Sequence, residues 1–295
     1  MNKYAIVTDS CSDLDKAFRN KHHIDYIKMN LSWTDDNNEL HESFADIDWE
    51  VLSMKEFYDI LRKGHRIYTS QATAKNYLEI FEPHLKNNDD VLYLACSSGL
   101  SASIKTAILL ADTELKEKYP NNKIIIVDTL RAGMSQGALV MKAEEYKEAG
   151  KSIEEVASLI EKEKLTYKEV GIPETLTYLK RAGRVSGPQA LMGNLIGLKP
   201  ILMFSENGSN EAKEKAIGRK KAYQRMAEII RDDIVDPANQ DIYLMSADCR
   251  DEDIEAFKNV ILKEVKVRNI IVRPLGPIIG ASSGPGTIIV NYVGK

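Results

Sequence analysis

Apolar and polar positions in the first half of the chain repeat one pattern: a short β-branched run, a polar turn, then a stretch with helical spacing. Apolar runs at 4–8, 24–31, 66–69, 91–96 and 123–127 predict strands, and 3.6-residue spacings near 14–22, 53–64, 73–86, 101–119 and 133–149 predict amphipathic helices. Strand alternating with helix predicts a parallel sheet covered by helices. The run KIIIVD at 123–128 is nearly all apolar, the pattern of a strand buried on both faces.

The pattern changes after the stretch EAGKSIEEVASLIEKEK at 148–164, where Gly150 ends one helix and Ser152 can cap the next. This predicts an N-terminal parallel α/β domain over 1–164 and a C-terminal α+β domain with a mixed sheet over 165–295. In the second part a strand is expected at 167–171, then a helix opened by Pro173 and Glu174, then a glycine-punctuated apolar segment. The charged run EAKEKAIGRKKAYQRMAEIIRDD at 211–233 reads as a strand leading into a solvated amphipathic helix.

At 295 residues the chain has the length of two domains. Its 43% hydrophobic and 28% charged content is that of a folded, soluble protein. A net charge of −4 offers no general attraction to phosphate backbones or anionic lipid, so nucleic acid is not an expected partner. Three scattered cysteines, Cys11, Cys96 and Cys249, argue against a disulfide framework and for a reducing compartment. Neither a leader pattern nor a long apolar run occurs, which predicts a cytoplasmic protein without membrane integration.

In an open parallel sheet, ligands bind at the carboxyl ends of the strands. Here those positions carry small hydroxyls: Thr8, Ser10 and Ser12 around Asp9, then Thr69 and Ser70, then Ser97, Ser98 and Ser101 around Gly99, then Asp128 and Thr129. Each turn has an ordinary explanation as a helix N-cap. Their convergence on one edge also describes a binding site, and the 97–101 turn, with hydroxyls and helix N-terminal amides, suits a carboxylate or phosphate. No Gly-Lys-Ser/Thr or Gly-x-Gly-x-x-Gly follows a strand, so the nucleotide motifs are missing. The histidines, His22, His23, His41, His65 and His84, stand in helices or loops and give no serine-hydrolase triad. Asp9 and Asp128 are the remaining bases, and they read as acceptors for turn amides. No metal and no cofactor is predicted.

Together the motifs resemble the DegV family of fatty-acid-binding proteins, almost end to end. The matching stretches are IVTDSCSDL at 6–14, TSQAT at 69–73, CSSGLSASIKTA at 96–107, IIIVDTLRAGMSQG at 124–137, LTYLKRAGRVSG at 176–187, LKPIL at 198–202 and GPIIGASSGPG at 276–286. The resemblance implies a two-domain α/β fold with one long-chain fatty acid between the domains, bound and not turned over. It places the acyl carboxylate on Thr69 and Ser101, with Ser70, Ser98 and Gly99 as further pocket residues. Ser282 stands where the family usually has a histidine completing the carboxylate site. Ala72 stands in place of a proline, Ala102 of a glycine, and Ile217 of an arginine. Arg184 is retained, and in better-known members the corresponding arginine lies on the surface that docks a fatty acid kinase, which phosphorylates the bound carboxylate.

The acyl chain is expected in the apolar interior of the second domain, with Leu191, Met192, Leu195, Ile196, Leu198, Ile201 and Met203 as candidate lining. The same residues would also serve an ordinary core. A monomer is the family expectation. Two other readings stay open: an enzyme acting on acyl or phosphorylated small molecules with Asp9 or Asp128 as base, and an adaptor whose occupied pocket reports lipid status to a protein partner.

Overall fold

The structure is a computed structural model, and the residues described are 3–186 and 197–295. In chain order the elements begin β1 (Tyr4–Asp9), α1 (Lys16–His22), β2 (Asp25–Ile27), β3 (Asn30–Thr34), β4 (Leu40–Phe44), α2 (Met54–Arg62), β5 (Tyr68–Ser70) and α3 (Ala74–Lys86). They continue β6 (Asp90–Ala95), α4 (Ser103–Asp112), α5 (Glu114–Lys118), β7 (Ile124–Asp128), α6 (Gly133–Glu148), α7 (Ile153–Glu163), β8 (Tyr167–Ile172) and α8 (Thr177–Ala182). The last are β9 (Leu198–Phe204), β10 (Asn210–Ile217), α9 (Arg219–Asp233), β11 (Asp241–Ser246), α10 (Asp251–Glu264), β12 (Asn269–Pro274), α11 (Pro277–Ser283) and β13 (Ile288–Val293).

The chain divides into two compact units, Met1–Val51 with Ile67–Leu165, and Leu52–Arg66 with Thr166–Lys295. The expected 1–164 domain is therefore corrected at one segment: α2 leaves the first unit and folds with the second. Its physical reason is side-chain burial, since Phe57, Tyr58 and Leu61 are all buried and the Tyr58 hydroxyl donates to Leu275 O at 3.1 Å. Gly280 of α11 admits this contact, because a Cβ there would lie 2.5 Å from the Tyr58 hydroxyl oxygen.

In the first unit, β2-β1-β6-β7 form a parallel sheet among the described residues. Every residue of β6 is buried, as a central strand covered on both faces requires. Tyr77, Phe81 and Tyr93 meet with ring centroids 5.8 Å apart, which fastens α3 to β6. Ser152 does cap α7, in a reciprocal arrangement with Glu155.

A separate antiparallel sheet, β4-β3-β5, also belongs to this unit. The apolar runs at 24–31 and 66–69 therefore do not both feed the parallel sheet. The first run breaks because Ser10 Oγ takes the Met29 amide at 3.1 Å, ending the pairing of β2. The chain then enters β3 and turns at Asp35, whose Oδ1 accepts the amides of Asn37 and Glu39. The second run becomes β5, paired to β3 and not to β1 or β6. The single helix expected over 101–119 is also divided, at Thr113, whose hydroxyl donates back to Leu109 O at 2.6 Å.

The second unit has a mixed sheet, β10-β9-β8-β13-β11-β12, in which β11 and β12 run parallel and the other described pairs antiparallel. Val170, Ile172, Ile201 and Val290 pack with Tyr223, Met226 and Ile230 of α9 and with Phe257 and Ile261 of α10. The charged run is thus a strand leading into an amphipathic helix as expected, and the apolar stripe of α9 supplies much of this core. A smaller cluster joins Leu179 of α8 to Leu202 and Ala212. The helix expected from Pro173 begins later, at Thr177.

Candidate functional site

The site is built outward from Asp9. Its side chain is fully buried and accepts from Cys11 N (2.9 Å), Tyr93 Oη (2.7 Å), Cys96 N (2.8 Å) and Gln136 Nε2 (3.2 Å). Burial raises its pKa, while these four donors oppose the rise. With its oxygens committed, Asp9 ties the ends of β1 and β6 to α6 and is not placed as an open base. Asp128 is used similarly, its Oδ1 accepting from Ser98 N and Leu130 N at 3.1 Å each.

The turn at 97–101 differs from the expected nest of open amides. Ser97 O accepts from Leu100 N at 3.1 Å and Ser101 N at 3.0 Å, and Ser97 Oγ accepts from Gly99 N at 3.1 Å. With Ser98 N on Asp128, the loop satisfies these donors internally. What it presents are hydroxyl groups. Ser98 and Gly99 are exposed. Ser101 is half-buried, and its Oγ accepts from Ser103 N at 3.2 Å, which leaves its proton to donate elsewhere. Helix α4 has Ala102 as N-cap with no side-chain bond, at φ −80 and ψ 2, a conformation open to any residue, so a glycine is not needed there.

Thr69 lies within β5, half-buried and opposite Leu31, while Ser70 is exposed and opposite Asn30. The strand starts two residues later and ends one later than expected, and Thr69 is a strand residue and not a turn residue. A buried hydrogen-bond chain connects this segment to the 97–101 turn. Ala72 N donates to Ser103 Oγ at 3.2 Å. Tyr77 Oη lies 2.8 Å from Ser103 Oγ and donates to Ser103 O at 2.9 Å. Tyr77 Oη is 3.5 Å from Tyr93 Oη, which reaches Asp9. Ala72 in place of proline therefore adds a donor that proline lacks. Sequence reasoning missed Ser103, Tyr77 and Tyr93, since a tyrosine at helical or strand spacing looks like any core residue.

In the second unit, Ser282 belongs to α11 and not to a turn, and its hydroxyl donates to Ile278 O at 3.2 Å. Arg184 is exposed just after Gly183, whose φ of +68 ends α8 in the left-handed region. Its guanidinium donates to Ala182 O and its amide to Leu179 O at 3.1 Å. Ile217, where the resemblance led to the expectation of an arginine, is 70% exposed. Of the candidate tunnel residues, Leu191, Met192, Leu195 and Ile196 lie outside the described residues. Leu198 is half-buried, and Ile201 and Met203 belong to the core packed on α9. No helix among the described residues is long and apolar enough to cross a membrane.

Three comparisons bear on this arrangement. A family model described as uncharacterised protein, DegV family, matches residues 3–295. A DegV domain-containing protein of Clostridium perfringens is 37% identical over 294 residues, covering 100% of this chain and 98% of the relative. Among solved structures, a DegV family protein from Thermus thermophilus, described by its fatty acid binding, is 28% identical with a TM-score of 0.84 and 99% of each chain covered. The fatty acid binding protein DegV from Bacillus subtilis is 25% identical with a TM-score of 0.83, both chains being covered in full at 100%.

Proposed function

Because the chain belongs to the DegV family, we propose that it binds one long-chain fatty acid and carries it without chemical turnover. The observation that supports this most is the end-to-end likeness to two structures described as fatty acid binding. In this reading Thr69 and Ser101 donate to the carboxylate, with Ser70, Ser98 and Gly99 beside them. Ser282 contributes once its hydroxyl proton turns from Ile278 O to the ligand, which makes it the weakest of the three. The commitment of Asp9 to four donors supports a carrier over an enzyme using that residue as base.

The acyl chain then occupies the apolar interior of the second unit. Each buried methylene contributes about 0.8 kcal/mol, so a chain of about sixteen carbons supplies most of the affinity. Each hydrogen bond to the carboxylate adds about 1.5–3 kcal/mol and fixes its orientation. Presentation to a fatty acid kinase belongs to the same proposal, with Arg184 as docking residue; Arg184→Ala is expected to leave lipid affinity unchanged and to slow phosphorylation of the bound acid.

Native mass spectrometry of the recombinant protein, followed by extraction and lipid identification, tests the central claim. One fatty acid per chain is expected, and Thr69→Ala with Ser101→Ala should lower affinity by at least about tenfold. A wild-type protein that arrives empty and refuses added fatty acid overturns the carrier reading. Unchanged lipid content in the folded double variant removes the head-group assignment.

A further inference from the structure

Helices α1 and α6 of the first unit both end at the side of the parallel sheet where its strands begin, away from the hydroxyl-bearing turns. There His22 Nδ1 lies 3.2 Å from Glu148 Oε1 and 3.8 Å from Glu144 Oε1. All three ligand atoms fall within 4.8 Å of one another. The His22 and Glu144 side chains are only 9% and 7% exposed, whereas Glu148 is 60% exposed. Phe18 stacks on the His22 ring, centroids 4.3 Å apart, and fixes its plane.

Glu144 and Glu148 are four residues apart, so they share one face of α6. Glu148 is the last residue of this 16-residue helix and Glu144 lies one turn earlier, near the end where the backbone dipole is negative and disfavours further negative charge. Lys147, 3.3 Å from Glu144 Oε2, balances one carboxylate. Among the described ion pairs Glu148 meets only the His22 imidazole, so two carboxylates at the negative end of the helix face one permanent cation, Lys147.

We propose that His22 Nδ1 and the Glu144 and Glu148 carboxylates bind a divalent first-row transition ion such as Zn²⁺, clamping α1 to α6. Metal bonds of about 2.0–2.2 Å at tetrahedral angles place ligand atoms roughly 3.4 Å apart, close to the spacings found here. The imidazole nitrogen selects against Mg²⁺ and Ca²⁺, which prefer all-oxygen sites. Exposed Glu148 leaves the fourth position to water. A second group, Asp35, Glu39 and His41, has comparable spacing. It is the weaker candidate, because Asp35 Oδ1 already accepts two turn amides.

The test is a Zn²⁺ titration of the chelator-stripped full chain against a chromophoric competitor, with Mg²⁺ in parallel and thermal unfolding as a second readout. Zn²⁺ should bind at this site and raise Tm. Glu148→Gln, at an exposed position that leaves the fold intact, should lower the affinity by more than about tenfold and abolish the Tm rise, and Glu144→Gln should do the same. His41→Asn should leave both readouts unchanged. The assignment is overturned if the stripped protein binds no Zn²⁺, if Glu148→Gln and Glu144→Gln bind as the wild type does, if His41→Asn removes the binding, or if Mg²⁺ binds equally well.

Discussion

Ser103→Ala tests whether the buried hydrogen-bond chain holds the two segments proposed to bind the head group in register. Ser103 and Ala72 are each 1% exposed, so water cannot replace the lost hydroxyl. Ala72 N–H loses its acceptor, at a cost of about 1–3 kcal/mol for a buried unsatisfied donor. Tyr77 keeps Ser103 O at 2.9 Å, which limits the second loss to about 1 kcal/mol or less. The sum, about 1–4 kcal/mol, falls on the link between the strand carrying Thr69 and the turn carrying Ser101. Amide exchange at Ala72 should accelerate, and fatty acid affinity should fall several-fold even though Ser103 is not itself a proposed ligand contact. Ala72→Pro makes the comparison: it removes the donor and leaves Ser103 Oγ still paired with Tyr77, so its loss should be smaller. Unchanged protection at Ala72 together with wild-type affinity in Ser103→Ala would refute the coupling.

Two further perturbations probe other parts of the molecule. Gly280→Ala puts a Cβ 2.5 Å from Tyr58 Oη and 3.2 Å from Phe57 Cε1, and overpacking of this kind costs about 1–3 kcal/mol; adding Tyr58→Phe removes the nearest atom, so urea unfolding should show the double variant less destabilised than the sum of the singles. Glu82 is held at a pKa of about 2 by Lys118 and then Lys86. A depressed carboxyl stabilises the fold above its ordinary value of 4.5 and loses that contribution as pH falls through about 2. The stability gap between wild type and Glu82→Gln should therefore be full at about pH 6, narrow below about 4.5 and close near 2, and it should be modest because the pair sits near solvent. A gap independent of pH would contradict the assignment.

What the sequence determined by itself was local. The 3.6-residue spacings marked α3 and α6, the KIIIVD run marked β7, and Ser152 was legible as a cap because its partner Glu155 stands three residues on. The ordered motifs also carried the resemblance to the family that the family model matches over residues 3–295. Which strands pair was not written locally: 24–31 is one apolar run, yet a hydroxyl from Ser10 in another turn divides it, and β5 joins β3 instead of the parallel sheet. The spacing of α2 announced a helix but not its unit, because Leu275 and Gly280, which receive Tyr58, lie more than two hundred residues away. The hydroxyls of Thr69 and Ser101 could be named from motifs, whereas the Ser103–Tyr77–Tyr93–Asp9 chain that positions them could not. Hydrogen bonds between residues distant in sequence leave no periodic trace, so tertiary structure alone decided them.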